Sequence, residues 1–336
     1  MDRSAQRAVL VALAMSAACS HAPIQRQARA DVFWPPPPAA PRVRLLSVIP
    51  DPNALPAAAP WWRRLVTFVA GTDEAEATAT ALSQPFGVAA ARDGSLFVTD
   101  PPARTLLRVT GEAVQRVDCP GLPWSSPTGV AIGPDDAIYV ADESRVVRVD
   151  SKGSCAPLAE GRFERATGLV IGGDAVYVSD PPRHAVVVLG LSGELRATWG
   201  NSKSAEGSLH FPSGLALASD GTLLVSDTFN FSIARFDSAG RLLGRIGGSE
   251  ESLGGLERPK GIAGDAAGRV YVSDAARDRV VVYRHDGTVD YFIGGAEAGP
   301  SGLAQPAGIA VAGTRLLVVD SLNGRVQNFE ILGGAP

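Results

Sequence analysis

A chain of 336 residues with 45% hydrophobic and 20% charged side chains is long enough for one large domain or two ordinary ones, and its apolar content excludes a wholly disordered protein. No apolar run reaches the ~20 residues that a mature bilayer-crossing helix requires. The 37 glycines and 25 prolines beside only 6% aromatic residues suit many tight turns between short strands, and a formal net charge of -4 leaves no basic footprint for nucleic acid.

Arg3 and Arg7 precede an apolar run over residues 8–15, followed by Ser16, Ala17, Ala18 and Cys19. This order reads as a short signal peptide over residues 1–18, which takes the protein out of the cytoplasm. Small residues just before a cysteine resemble a bacterial lipobox. That resemblance implies cleavage before Cys19, lipidation of its thiol and an exported protein of the periplasm or outer membrane held by a lipid anchor. Ser16 stands where the motif usually has leucine, so an ordinary secretory cleavage is the alternative. Ser20 in place of aspartate after the cysteine resembles the outer-membrane sorting pattern.

Residues 19–41 are rich in Ala, Arg and Pro and include Trp34 and the prolines at 35–38, a run that prefers extended polyproline II and makes a semi-rigid tether. Phe33 and Trp34 could also pack onto the domain while the prolines cross its surface. From Arg42, RVRLLSVI alternates as a strand does. PWWRRLVTFVAG reads as a helix, with Trp61, Trp62, Leu65, Val66, Phe68 and Val69 on one face, although RLVTFVAG could also serve as an outer strand.

One phrase then recurs six times: PFGVAAARDGSLFVTD, PTGVAIGPDDAIYVAD, ATGLVIGGDAVYVSD, PSGLALASDGTLLVSD, PKGIAGDAAGRVYVSD and PAGIAVAGTRLLVVD. Each copy holds a glycine (Gly87, Gly129, Gly168, Gly214, Gly261, Gly308), an apolar strand, a Gly or Asp turn, a second strand and a terminal aspartate (Asp100, Asp142, Asp180, Asp227, Asp274, Asp320). A third strand such as RVVVY and a fourth such as TVDYFIGG follow. Four antiparallel strands per repeat of this length describe a propeller blade, with the small aliphatic first strand innermost. The pattern of Pro, one residue, Gly, apolar strand, DG turn, YVSD and an Arg-led strand resembles the NHL repeat. It implies an all-β fold: a six-bladed propeller of four-stranded antiparallel blades over residues 42–336. The sixth repeat ends after RVQNFEI, so the strand from Arg42 is expected to close the ring.

The resemblance specifies a fold and no single activity. The repeated aspartates are expected to accept backbone N–H bonds from the tight loops that follow them. Enzymes on similar propellers hold zinc with histidines, or, in the gluconolactonase type, calcium with Glu, Asn and Asp near the axis. The inner strands here, VAAA, VAIG, LVIG, LALA, IAGD and IAVA, carry one charge, Asp265 in a turn, so no metal and no cofactor are expected. Cys119 and Cys155 are placed on opposite faces of the disc by up-and-down strand order, and are expected to be unpaired. Without residues 1–60 the chain holds 25 basic and 32 acidic residues, a balance of -7 that disfavours RNA.

The expected function is a noncatalytic, membrane-tethered binding or scaffold protein of the bacterial cell envelope, with an envelope protein or other extracytoplasmic ligand as partner. The alternative is a metal-dependent hydrolase or lyase. The best contact patch is the loop carrying Phe229, Asn230 and Phe231, with Arg183, His184 and Arg277 around it, because aromatic area beside an amide and cations suits recognition.

Overall fold

Short runs of valine, leucine and isoleucine, punctuated by glycine and aspartate turns, fold into strands that hydrogen-bond in sequence order. The computed structural model describes residues 32–50, 82–111, 113–201, 207–248, 254–295 and 301–333. Blade 1 is Val88–Ala90, Leu96–Asp100, Thr105–Thr110 and Ala113–Arg116; blade 2 is Pro127–Ile132, Ile138–Asp142, Arg145–Val149 and Cys155–Ala159. Blade 3 is Leu169–Gly172, Ala175–Asp180, Ala185–Gly190 and Leu195–Trp199; blade 4 is Pro212–Leu217, Leu223–Asp227, Ser232–Phe236 and Leu242–Gly247. Blade 5 is Pro259–Gly264, Val270–Asp274, Arg279–Tyr283 and Val289–Gly294. The inner strands of neighbouring blades touch all the way round, Pro306–Ala312 of the sixth lying against Val88–Ala90 of the first.

The second strands of blades 1, 2, 4 and 5 are buried along their whole length, and those of blades 3 and 6 at all but one residue, because each blade is covered on both faces by its neighbours. Apolar clusters therefore lie between blades: Phe97 and Leu106 of blade 1 pack with Val130, Val140 and Val147 of blade 2. Each fully buried Val or Leu contributes about 1.5–3 kcal/mol. Outer strands are only half covered, as in Leu195–Trp199.

The repeated glycine has a steric cause. A Cβ at Gly87, Gly129, Gly168, Gly214, Gly261 or Gly308 would stand within 2.6 Å of a backbone carbonyl oxygen of the next blade. Only glycine permits that approach. Alternate blades add a hydroxyl across the same seam: Ser179 Oγ donates to the Ser213 carbonyl and Ser273 Oγ to that of Ala307, both at 2.6 Å.

The sixth blade closes as the sequence indicates. Its own strands Pro306–Ala312, Arg315–Asp320 and Arg325–Ile331 are completed by Val43–Ile49, paired from Val43 with Ile331 to Ile49 with Val326. Arg44 ion-pairs with Glu330 at 2.6 Å across this junction. Phe33–Trp34 then adds a fifth strand, and the buried Trp34 ring meets Phe329 edge-on at 5.7 Å. The signal segment 1–18, Cys19 and the helical pattern at 60–71 lie outside the described residues, among which no helix is long and apolar enough to cross a membrane.

The cysteines correct the sequence expectation: Cys119 and Cys155 form a disulfide, with Cα atoms 5.5 Å apart. Counting strand reversals treats strands as parallel to the axis. Sheets instead twist by about 20–25° per strand, so an outer strand lies largely across the disc. The tail after Ala113–Arg116 thereby reaches the start of Cys155–Ala159 on the neighbouring blade, where Cys119 packs with Trp124 and Val149.

Candidate functional site: the loop face and its axial mouth

The six repeated aspartates stand at the ends of the second strands and are all but inaccessible. Their carboxylates accept backbone N–H bonds at 2.5 to 3.2 Å, but mainly from residues before the inner strand of the same blade. Asp100 takes Ser83 and Gln84, Asp142 takes Ser125 and Ser126, Asp180 takes Glu164 and Arg165, Asp227 takes His210, Asp274 takes Glu257 and Arg258, and Asp320 takes Ala304. The following loop, where the sequence placed these donors, contributes the Ala103 amide at 3.5 Å to Asp100. Arginines neutralise several of them, among them Arg145 on Asp142, Arg245 on Asp227 and Arg325 on Asp320. These carboxylates tie the entry of each inner strand to the end of the second, and their lone pairs are taken.

At the same end of the inner strands, the axis opens into a mouth of about 70 Å3. It is lined by the residue before five of the repeated glycines, Phe86, Thr167, Ser213, Lys260 and Ala307, with Val88, Val130, Leu169, Leu215, Ile262 and Ile309 beneath. Thr128 Oγ1 donates to the Ala166 carbonyl and Ser213 Oγ to that of Pro259, so these hydroxyls serve the neighbouring blade. Lys260 is the one titratable residue of the lining. Burial lowers its pKa, and Arg258 nearby lowers it further. Its Nζ stands 6.0 Å from the Phe86 ring centre. Lys260 is not legible in the apolar inner-strand pattern IAGD, which begins at Ile262, whereas the strand starts at Pro259. The position after the repeated proline was the available signal.

A second feature lies where blades 3 and 4 meet. The turn Pro181–Arg183 ends in His184 and the turn Thr228–Asn230 in Phe231, both left-handed at φ 54° and 52°. Other blades place Arg104, Asp278 or Gly324 at this point of the loop, also with positive φ. Phe211, in the connection between the blades, is left-handed as well, at φ 63°. Its N–H donates to His184 Nδ1 at 3.1 Å, which leaves the ring proton of that imidazole on Nε2. A chain of ring contacts results: His184 to His210 at 5.0 Å, His210 to Phe229 at 5.3 Å, and Phe229 stacked on Phe211 at 4.9 Å. Phe229 and Phe231 are nonetheless 49% and 43% exposed. A bulky side chain in left-handed backbone costs about 1 kcal/mol or more.

The structure thus joins His184 and Phe229 of the sequence-derived patch to His210 and Phe211. Asn230 turns its amide inward to Asp227 at 2.8 Å, and Arg183 donates to the Arg162 carbonyl beside Asp180. Arg277 belongs to blade 5, where it pairs with Glu257 at 3.3 Å.

A family model described as SMP-30/Gluconolactonase/LRE-like region matches residues 87–301. No curated protein matches the sequence. A solved gluconolactonase from Xanthomonas campestris is similar at 19% identity and TM-score 0.59, over 77% of this chain and 93% of that one. A catalytically inactive virginiamycin B lyase from Staphylococcus aureus, solved with quinupristin, aligns at 16% identity and TM-score 0.56, over 74% and 81%. An auxiliary nutrient binding protein from Bacteroides thetaiotaomicron aligns at 12% identity and TM-score 0.59, over 74% and 69%. At these identities the structures share a fold with this chain, and on the family match over more than half its length the chain belongs to the SMP-30/gluconolactonase/LRE-like family.

Proposed function

We propose that the chain is an exported binding propeller of the cell envelope, anchored through a lipid on Cys19, which captures an extracytoplasmic partner on the loop face over blades 3 and 4. The observation that carries this reading is the donor set at the axial mouth. Calcium-type lactonases hold their ion with Glu, Asn and Asp at the axis. Here the mouth presents backbone, hydroxyls already bonded and the Lys260 ammonium, which repels a cation. Among the described residues no three His, Cys, Asp or Glu side chains converge as metal ligands. The residues present do not fit a divalent ion. The exposed Phe229 and Phe231 instead offer apolar area on a rigid support.

The Cys119–Cys155 disulfide supports export, because such bonds persist in oxidising compartments. A fold neighbour described as a nutrient binding protein supports a noncatalytic use of this propeller. The second reading, a metal-dependent hydrolase or lyase, is favoured by family membership and by the gluconolactonase and lyase matches. The two separate in one experiment. Purified protein is titrated calorimetrically with calcium and zinc, and gluconolactone hydrolysis is followed with each. The binding reading expects neither stoichiometric metal uptake nor acceleration over the uncatalysed rate; metal-dependent turnover would establish the enzyme.

A further inference from the structure

We infer that the axial mouth is a receptor for a carboxylate group, with Lys260 as its anchor. The 31 basic residues of the chain include only three lysines, Lys152, Lys203 and Lys260. One of them lines the axial mouth, where the residue before each other repeated glycine is Phe86, Thr128, Thr167, Ser213 or Ala307. Among the described residues nothing accepts a hydrogen bond or forms an ion pair with Lys260 Nζ; its neighbour is the Phe86 ring at 6.0 Å. A partly buried ammonium without a counterion is an unfavourable arrangement, and the loss is recovered when an anion enters. A purely structural side chain at this place would need no charge, as Ala307 shows.

The size and chemistry of the mouth select the anion. About 70 Å3 over walls of valine, leucine and isoleucine admits a head group of a few atoms and leaves the rest of the ligand on the loop face. One ammonium matches a single negative charge, whereas phosphate recognition favours several donors in a fork. Arg165 and Arg258 stand two residues before Thr167 and Lys260, both exposed and without an ion pair among the described residues, and add positive potential at the rim. Of the acids one residue further out, Glu257 is turned toward Arg277 and Glu164 is exposed.

This site uses none of the aromatic residues of blades 3 and 4, so it stands or falls apart from them. The carboxylate could come from a free organic acid or from the C-terminus of a polypeptide. The test labels the wild-type protein with an amine-reactive ester and reads Lys260 and the exposed Lys152 by mass spectrometry. The probes, at constant ionic strength, are benzoate, butyrate, a short alanine peptide and its C-terminal amide. Protection of Lys260 by about tenfold with unchanged Lys152 is expected from at least one carboxylate and from no amide. Protection by benzoate or butyrate identifies a free acid, and protection by the peptide acid alone identifies a chain terminus. Lys260→Met should weaken calorimetric binding of the protecting probe by about ten- to a hundredfold, with the melting temperature at or above that of the parent. Unchanged labelling of Lys260 in all carboxylates up to about 10 mM, equal protection by the amide, or undiminished binding to Lys260→Met would overturn the assignment.

Discussion

The ring of Gly87, Gly129, Gly168, Gly214, Gly261 and Gly308 and the ring one residue before it run round the same axis on the same strands, yet only the first is uniform. The glycines face a carbonyl of the next blade at a distance that no Cβ tolerates. Of the preceding residues, Phe86, Thr167, Ser213, Lys260 and Ala307 line the mouth, and there aromatic, hydroxyl, ammonium and methyl groups all fit. In a repeat protein, uniformity marks a position that every blade needs for packing. Departure at an exposed position marks what one blade does alone. Departure at a buried position marks what makes one blade structurally different, as Trp34 and the disulfide show.

The buried departures should give the largest effects. Trp34→Ala removes the ring that covers Phe329 at the closing blade and should cost about 3–5 kcal/mol in urea unfolding. A midpoint equal to the parent would mean that the fifth strand is dispensable, as a simple tether would be. Reduction of Cys119–Cys155, or its replacement by two serines, opens a loop with a sequence separation of 36 and should cost about 2–4 kcal/mol. An unchanged midpoint in reductant would place that bond among the neutral departures.

Neighbouring substitutions test the two rings directly. Gly261→Ala puts a Cβ at 2.1 Å from the Ala307 carbonyl and should cost about 1–3 kcal/mol for one methyl group. Lys260→Met, one residue away, should be neutral or stabilising, and an equal loss for both would erase the contrast between the rings. The smallest effect concerns the loop face. Phe231→Asn relieves left-handed strain and should raise stability by about 0.5 kcal/mol, while weakening capture of the proposed extracytoplasmic partner in a crosslinking pull-down. A fall in stability would show that Phe231 is there for packing.

Much of the fold is legible because each repeat carries its own instructions. Alternating apolar runs and DG turns are local, so blade count, strand order and the missing sixth outer strand follow from the chain itself. The candidate site is only partly legible. Phe229 and His184 stand out as unusual loop residues, but their link through His210 and Phe211 depends on a turn and an inter-blade connection converging in space. The aspartates announce a shared role, while their partners lie 15 to 17 residues upstream, which becomes readable only when both ends of a blade are seen.

The sequence by itself determined six blades of four strands and the glycine at each inner strand, because these rest on side-chain period and turn chemistry within some forty residues, and it left the strand from Arg42 and the segment 64–71 both open for closing the ring. Tertiary structure decided that Cys119 meets Cys155, that Val43–Ile49 completes the sixth blade, that Trp34 takes its packed alternative, and that Lys260 lines the axial mouth with no ion pair among the described residues. These outcomes depend on the accumulated twist of each blade and on the closure of the ring. Both bring together residues whose own neighbours in the chain carry no trace of the meeting.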